Sequence, residues 1–137
     1  MAAPFPHVVI RASAGTGKTF QLSNRFLGLA CSDARPDAIL ATTFARKAPG
    51  EILERVLTRM AEAAGDARKL DDLRTHLKFP SLDDDRCLAL LKALTRQLHR
   101  LRIGTLDSFF VQMAGSFGLE LGLPPGWRIV DELQDVE

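Results

Sequence analysis

With 137 residues, 46% of them apolar and 26% charged, the chain has room for one soluble domain with a modest core. No apolar run approaches the roughly 18 residues that span a bilayer, and Met1 to Pro6 lacks the basic stretch and apolar core of a secretion signal, so a cytoplasmic protein with no membrane partner is expected. The net charge of +1 hides an asymmetry: residues 1–61 carry 8 basic and 4 acidic side chains, residues 62–137 carry 10 and 13, which suits either a polyanion near the first half or merely solvated helix faces.

The first element predicted is a buried strand, the apolar run His7-Val8-Val9-Ile10-Arg11, which feeds a Gly-containing loop. A helix from Thr19 to about Ala30 follows, with Phe20, Phe26, Leu27 and Ala30 toward one side, and Asp33, Pro36 and Asp37 mark a turn. Ala38 to Phe44 is apolar and β-branched, as in a parallel strand buried on both faces. From Arg46 to Ala64 the residues Ile52, Leu53, Val56, Leu57 and Met60 recur at helical spacing, with Pro49 and Glu51 suited to the first turn. Gly65-Asp66 breaks this helix, and a shorter polar helical stretch runs to Phe79-Pro80. Ser81 or the acids Asp83 to Asp85 open a further helix with Cys87, Leu91, Leu94, Leu98 and Leu101 as its stripe. Those acids complement a helix N-terminus better than they bind a metal. Arg102 to Thr105 reads as a third strand and Leu106 to about Phe117 as a helix, before an irregular stretch around Gly122, Pro124, Pro125 and Gly126. Cys31 and Cys87 stand apart without ligand spacing and are expected reduced and buried; His76 and His99 read as surface or satisfied structural residues.

The chemistry is concentrated in Ala12-Ser13-Ala14-Gly15-Thr16-Gly17-Lys18-Thr19, a phosphate-binding P-loop between a strand and a helix. A triphosphate requires converging backbone amides, positive charge near its outer phosphates and an oxygen ligand for Mg2+. Gly15 and Gly17 let the chain curl, and the helix start adds its positive dipole end. Lys18 is placed to reach the β- and γ-phosphates and Thr19 to offer its hydroxyl to Mg2+. The usual pattern begins with Gly where Ala12 stands. Nucleotide binding follows from this loop; hydrolysis needs a further residue that orients water.

Two more segments, Ala41-Thr42-Thr43-Phe44-Ala45-Arg46-Lys47-Ala48-Pro49-Gly50-Glu51-Ile52 and Arg102-Ile103-Gly104-Thr105-Leu106-Asp107-Ser108-Phe109-Phe110, follow the loop in order. Together the three resemble the first ordered motifs of UvrD/Rep-type superfamily 1 DNA helicases, and the loop with Phe20-Gln21-Leu22 looks closest to the RecB/AddA branch. The resemblance spans about residues 8–131. It implies an α/β P-loop NTPase fold, part of a RecA-like motor domain with a parallel sheet flanked by helices, and a helical insertion within about 65–101. It further implies ATP and Mg2+ as cofactors, hydrolysis of ATP, single-stranded DNA as partner, and membership of a nuclease or recombination complex. Thr42, Thr43, Arg46, Thr105 and Ser108 would then meet DNA phosphates, and Phe109 or Phe110 would stack on a base.

The sequence departs from that pattern in three places. Ala45 stands for the usual Thr, Pro49 for Ala, and Asp107 for His, so Asp107 is expected to point away from DNA or to cap the following helix. No Gln precedes the loop to read adenine. Val130-Asp131-Glu132-Leu133-Gln134-Asp135 imitates the acidic motif that binds Mg2+ and polarises water, but it follows too soon after the third motif. Asp131 and Glu132 are therefore read as starting a helix and not as catalytic. On this reading the chain is the N-terminal part of a helicase ATP-binding domain, inactive by itself. A small P-loop kinase or a non-catalytic nucleotide- or DNA-binding module are the alternatives.

Overall fold

The computed structural model describes residues 6–11, 17–32 and 34–128, and within them the chain is an α/β structure of five helices and a two-stranded parallel sheet. Helix α1 spans Lys18–Cys31, strand β1 Leu40–Thr43, helices α2, α3 and α4 Ala48–Gly65, Ala67–Leu77 and Asp84–Arg96, strand β2 Arg102–Thr105 and helix α5 Leu106–Ser116. The three helices α2 to α4 form the crossover that any parallel strand pair requires. The strands lie in register with Leu40 opposite Arg102 and Thr43 opposite Thr105.

Helical periodicity places the core. Ile52, Val56, Met60 and Ala63 recur along one side of α2, and all are buried. Against them pack Phe26, Leu27, Ala30 and Cys31 of α1, Leu70, Leu73 and Leu77 of α3, and Cys87 and Leu94 of α4, with Leu82, Ile39 and Ala41 completing the cluster. Each helix end has a local cause. Asp66, in extended conformation, ends α2 and caps α3, its Oδ1 accepting from the amide nitrogens of Arg68 at 2.8 Å and Lys69 at 3.4 Å. Asp83 caps α4 by accepting from the Arg86 amide at 2.7 Å, with Asp84 and Asp85 in the first turn, as expected for acids at a positive helix end. Thr105 caps α5 through its hydroxyl, so Asp107, exposed in the first turn, is not the cap.

Three expectations change. His7 to Arg11 is not a strand: Val8, Val9 and Ile10 are 55%, 88% and 46% exposed, and among the described residues nothing pairs with this run. A strand exists only where a ladder partner takes its amides and carbonyls, and apolar character cannot supply one. β1 is shorter than Ala38 to Phe44 and is covered on one face, with Leu40 and Phe44 exposed on account of alternation and strand end. The shorter polar helix expected after Gly65 is present as α3, its three leucines sufficing for one apolar stripe. Finally, α4 stops at Arg96 and a 3-10 turn, Leu98–Arg100, leads into β2, so Leu98 is exposed and does not continue the stripe. One residue before that end the Thr95 hydroxyl donates to the carbonyls of Leu91 and Lys92, competing with the helix's own bonds. Among the described residues no helix is long and apolar enough to cross a membrane.

Candidate functional site

The predicted phosphate cradle is represented in the structure by Gly17, Lys18 and Thr19; Ala12, Ser13, Ala14, Gly15 and Thr16 lie outside the described residues. Gly17 adopts φ +84°, a left-handed conformation open to glycine, and its carbonyl accepts from the Gln21 amide at 2.9 Å to start α1. Among the described residues no side chain caps this helix and no acidic residue stands in its first turn, whereas Asp66, Asp83 and Thr105 cap α3, α4 and α5. The first amides of a helix lack intrahelical acceptors, so a helix start left uncapped, with the exposed Lys18 ammonium and the Thr19 hydroxyl beside it, is a donor set that fits a phosphate and its Mg2+. Buried Ser23 stiffens the same turn, donating its hydroxyl to the carbonyls of Thr19 at 2.8 Å and Phe20 at 3.0 Å.

The second group of candidates gathers at the sheet. Because β1 and β2 are parallel and Thr43 faces Thr105, the segments following both strands emerge at one rim. From the first come Thr43, Phe44 and the exposed Arg46; from the second come Thr105, Ser108 and Phe109. Their hydroxyls are not equivalent. Thr43 Oγ1 accepts from the Ala45 amide at 3.3 Å and Thr105 Oγ1 from the Ser108 amide at 3.1 Å, so both keep their protons to donate to an anion. Ser108 has committed its proton to the Thr105 carbonyl at 2.7 Å. Thr42, Thr105, Ser108 and Phe109 line an open cavity of about 360 Å³ on the outer face of the sheet, together with Gln112 and Arg102. At the opposite ends of the strands Asp37 joins their entry turns, accepting from Arg35 at 2.6 Å and Arg100 at 2.8 Å. The Arg35 hydrogen bond is the main reason the Asp37 carboxyl titrates below its ordinary range.

Phe44 departs from its expected place. Read as part of a buried strand, it stands at the end of β1 with 86% of its surface exposed, an aromatic face beside Thr43 and Arg46. The sequence carries no signal of this, since Ile39, Leu40 and Ala41 are all apolar; only in the structure does exposed Leu40 between buried Ile39 and Ala41 show that the strand has one covered face. Phe110, 57% exposed, stands beside the half-buried Phe109 with ring centroids 5.8 Å apart. Asp131 and Glu132 lie outside the described residues, and among the described residues no group of three or more His, Cys, Asp or Glu side chains is placed to hold a metal ion.

The model of the UvrD/REP helicase N-terminal domain matches residues 2–137. The chain is 31% identical over 126 residues to an ATP-dependent helicase/nuclease subunit of Streptococcus suis, covering 92% of this chain and 9% of that protein. It is 30% identical over 129 residues to the subunit of the same name from Streptococcus thermophilus, covering 94% and 9%, and 29% identical to that of Streptococcus sanguinis over an equal length. The chain thus spans about 9% of the length of these relatives. No solved structure matches. From the extent of the family match and these relatives, the chain belongs to the UvrD/REP helicase N-terminal domain family and is similar, within it, to the helicase/nuclease subunits of the RecB/AddA-like branch.

Proposed function

We propose that this chain forms the ATP-binding portion of an ATP-dependent DNA helicase or translocase that works on single-stranded DNA in recombination or repair, within a helicase/nuclease complex. The fold it would contribute is part of a RecA-like P-loop motor domain. In this reading Ala12 to Thr19 wrap the triphosphate, Lys18 neutralises its β- and γ-phosphates and Thr19 ligates Mg2+. Bound Mg2+ would offset the charge that develops on the phosphates when ATP is cleaved. The residues that orient water are not assigned to this chain.

The observation that carries the DNA half is the parallel register of Thr43 with Thr105. It supports a single track on which Thr43, Thr105 and Arg46 meet successive phosphates while Phe44 and Phe109 present rings to the bases. Thr42 and Ser108 lie along the same groove and shape it.

Two variants of the full-length protein test the halves separately. Lys18→Ala should abolish binding of Mg-ATP and all ATP-dependent unwinding; unchanged unwinding would sink the phosphate site. Arg46→Ala should weaken binding to oligo-dT and reduce the slope of log affinity against log salt by about 0.7, the value for one single-strand phosphate contact. An unaltered slope would remove Arg46 from the track.

A further inference from the structure

Behind the start of α1 lies a polar and aromatic cluster that the phosphate and DNA sites do not use. Phe20 and Asn24 are one helical turn apart on α1 and face the same way. Arg59 of α2 holds both: its guanidinium donates to Asn24 Oδ1, and its Cζ stands 4.8 Å above the centroid of the Phe20 ring. His76 of α3 meets that ring edge-on at 5.2 Å and 86°, its own Nδ1 lying 2.7 Å from the Asp72 carbonyl oxygen. Asn24 is 8% exposed, and burial lowers the Arg59 pKa from its ordinary value, helped by Arg55 and opposed by Glu62. A guanidinium remains charged nonetheless.

We propose that Arg59 is a positioning residue for nucleotide binding, clamping Phe20 and Asn24 so that the first turn of α1 presents Lys18 and Thr19 at a fixed angle to the phosphates; this rests on the ATP-site reading above. Two features of the cluster argue for it. Among the described residues the start of α1 has no side-chain cap, and it is Arg59 that grips its first two turns, on Phe20 and Asn24. Moreover a cation beside the positive end of a helix is disfavoured by the helix dipole. Helix stability alone does not recommend Arg59 there, whereas a polyanion at the helix start offsets the excess positive charge. Because phosphate contacts depend on sub-ångström placement, loosening the grip should appear as weaker nucleotide binding.

The test is equilibrium binding of Mg-ATP and of oligo-dT to the full-length protein, with thermal melts of each variant. Arg59→Met keeps the packing of the side-chain stem but loses charge and donors, and should raise the Kd for Mg-ATP roughly three- to tenfold while leaving oligo-dT binding without nucleotide unchanged. Arg59→Lys, which restores the charge and one donor, should lie between it and the wild type. Asn24→Leu should also weaken Mg-ATP binding, and the double variant should be no weaker than the worse single one, as for two members of one contact. If Arg59→Met does not fold, Arg59→Lys and Asn24→Leu provide the same comparison. A lowered Tm with an unchanged Kd for Mg-ATP, or an equal loss of oligo-dT binding, would overturn the positioning role. Lys18→Ala is the control: if it still binds Mg-ATP, the ATP site itself is misassigned, whereas loss in Lys18→Ala with none in Arg59→Met overturns the clamp alone.

Discussion

Gly104 shows how closely a single position can determine the site. It lies in β2 opposite Thr42, and a Cβ there would sit 2.9 Å from Ser108 Oγ. Ser108 uses that oxygen to bond the Thr105 carbonyl at 2.7 Å, which fixes the start of α5 over the strand. Gly104→Ala should therefore expel the Ser108 side chain and lower stability by about 1 kcal/mol, read as a fall of a few degrees in Tm. Adding Ser108→Ala removes the clashing oxygen, so the double variant should recover part of the loss relative to Gly104→Ala; a strictly additive double would contradict the contact. The cysteines make a second case at this scale. Both thiols are fully buried, and burial, with Asp83 and Asp84, raises the Cys87 pKa above its ordinary value of 9.0, against the opposing pull of Arg74. The native state thus favours the protonated thiol, so its contribution to stability is complete below the unfolded value of 9.0 and is lost as pH rises through the raised native value. At pH 8 an aromatic disulfide reagent should leave Cys31 and Cys87 unmodified in the native protein and titrate both in denaturant; prompt native reaction would place a thiol at the surface.

Helix ends are the weakest points of the elements. Lys78 closes α3 in the left-handed region at φ 53°, while the amides of Lys78 and Phe79 reach back to the carbonyls of Thr75 and Arg74 at 3.3 and 3.1 Å. An L-residue with a Cβ is strained there and glycine is not, so Lys78→Gly should stabilise the chain by about 0.5–1 kcal/mol in denaturant melts, less what the freer unfolded chain recovers. Loss of stability would mean that the lysine side chain has a packing role. The same ends separate what could be read in the sequence from what could not. The spacing of Ile52, Val56 and Met60 announced α2, and Ser81 or the acids Asp83 to Asp85 before an apolar stripe announced α4, which Asp83 caps, because these signals are local. Leu98 and Leu101 extended that stripe on paper, yet the chain leaves the helix at Gln97 to enter β2, a requirement set by strand pairing. Val8, Val9 and Ile10 failed as a strand for the same reason: pairing is a property of two segments and leaves no trace in one. At the site, the loop ending in Lys18-Thr19 could be proposed from the sequence because that motif is defined by residue types and spacing within one segment. The exposure of Phe44 and the clamp of Arg59 on Phe20 and Asn24 could not, since they join residues up to 39 positions apart.

Taken whole, the described residues divide into a well-filled helical part and a thinly covered sheet part. α1 to α4 contribute almost all the buried side chains, whereas α5 has none, and Phe110, Met113, Phe117, Leu119 and Leu121 are 57%, 42%, 52%, 88% and 61% exposed. The apolar run at Val8, Val9 and Ile10 is exposed as well. Since stability follows buried apolar area, the two parts should open with different free energies. Hydrogen exchange on purified residues 1–137 should find the amides of α2 and the second half of α1 protected longest, and those of α5 exchanging at rates near the unstructured limit. A dye that reports exposed apolar surface should bind at neutral pH without denaturant, and its signal should fall with Phe117→Ser and Leu119→Ser, which remove two of the exposed side chains. Uniform protection across α2 and α5 would instead mean one cooperative unit, with the apolar face of α5 covered in solution, and the rim formed by Thr43 and Thr105 would then be as rigid as the helical core beneath it.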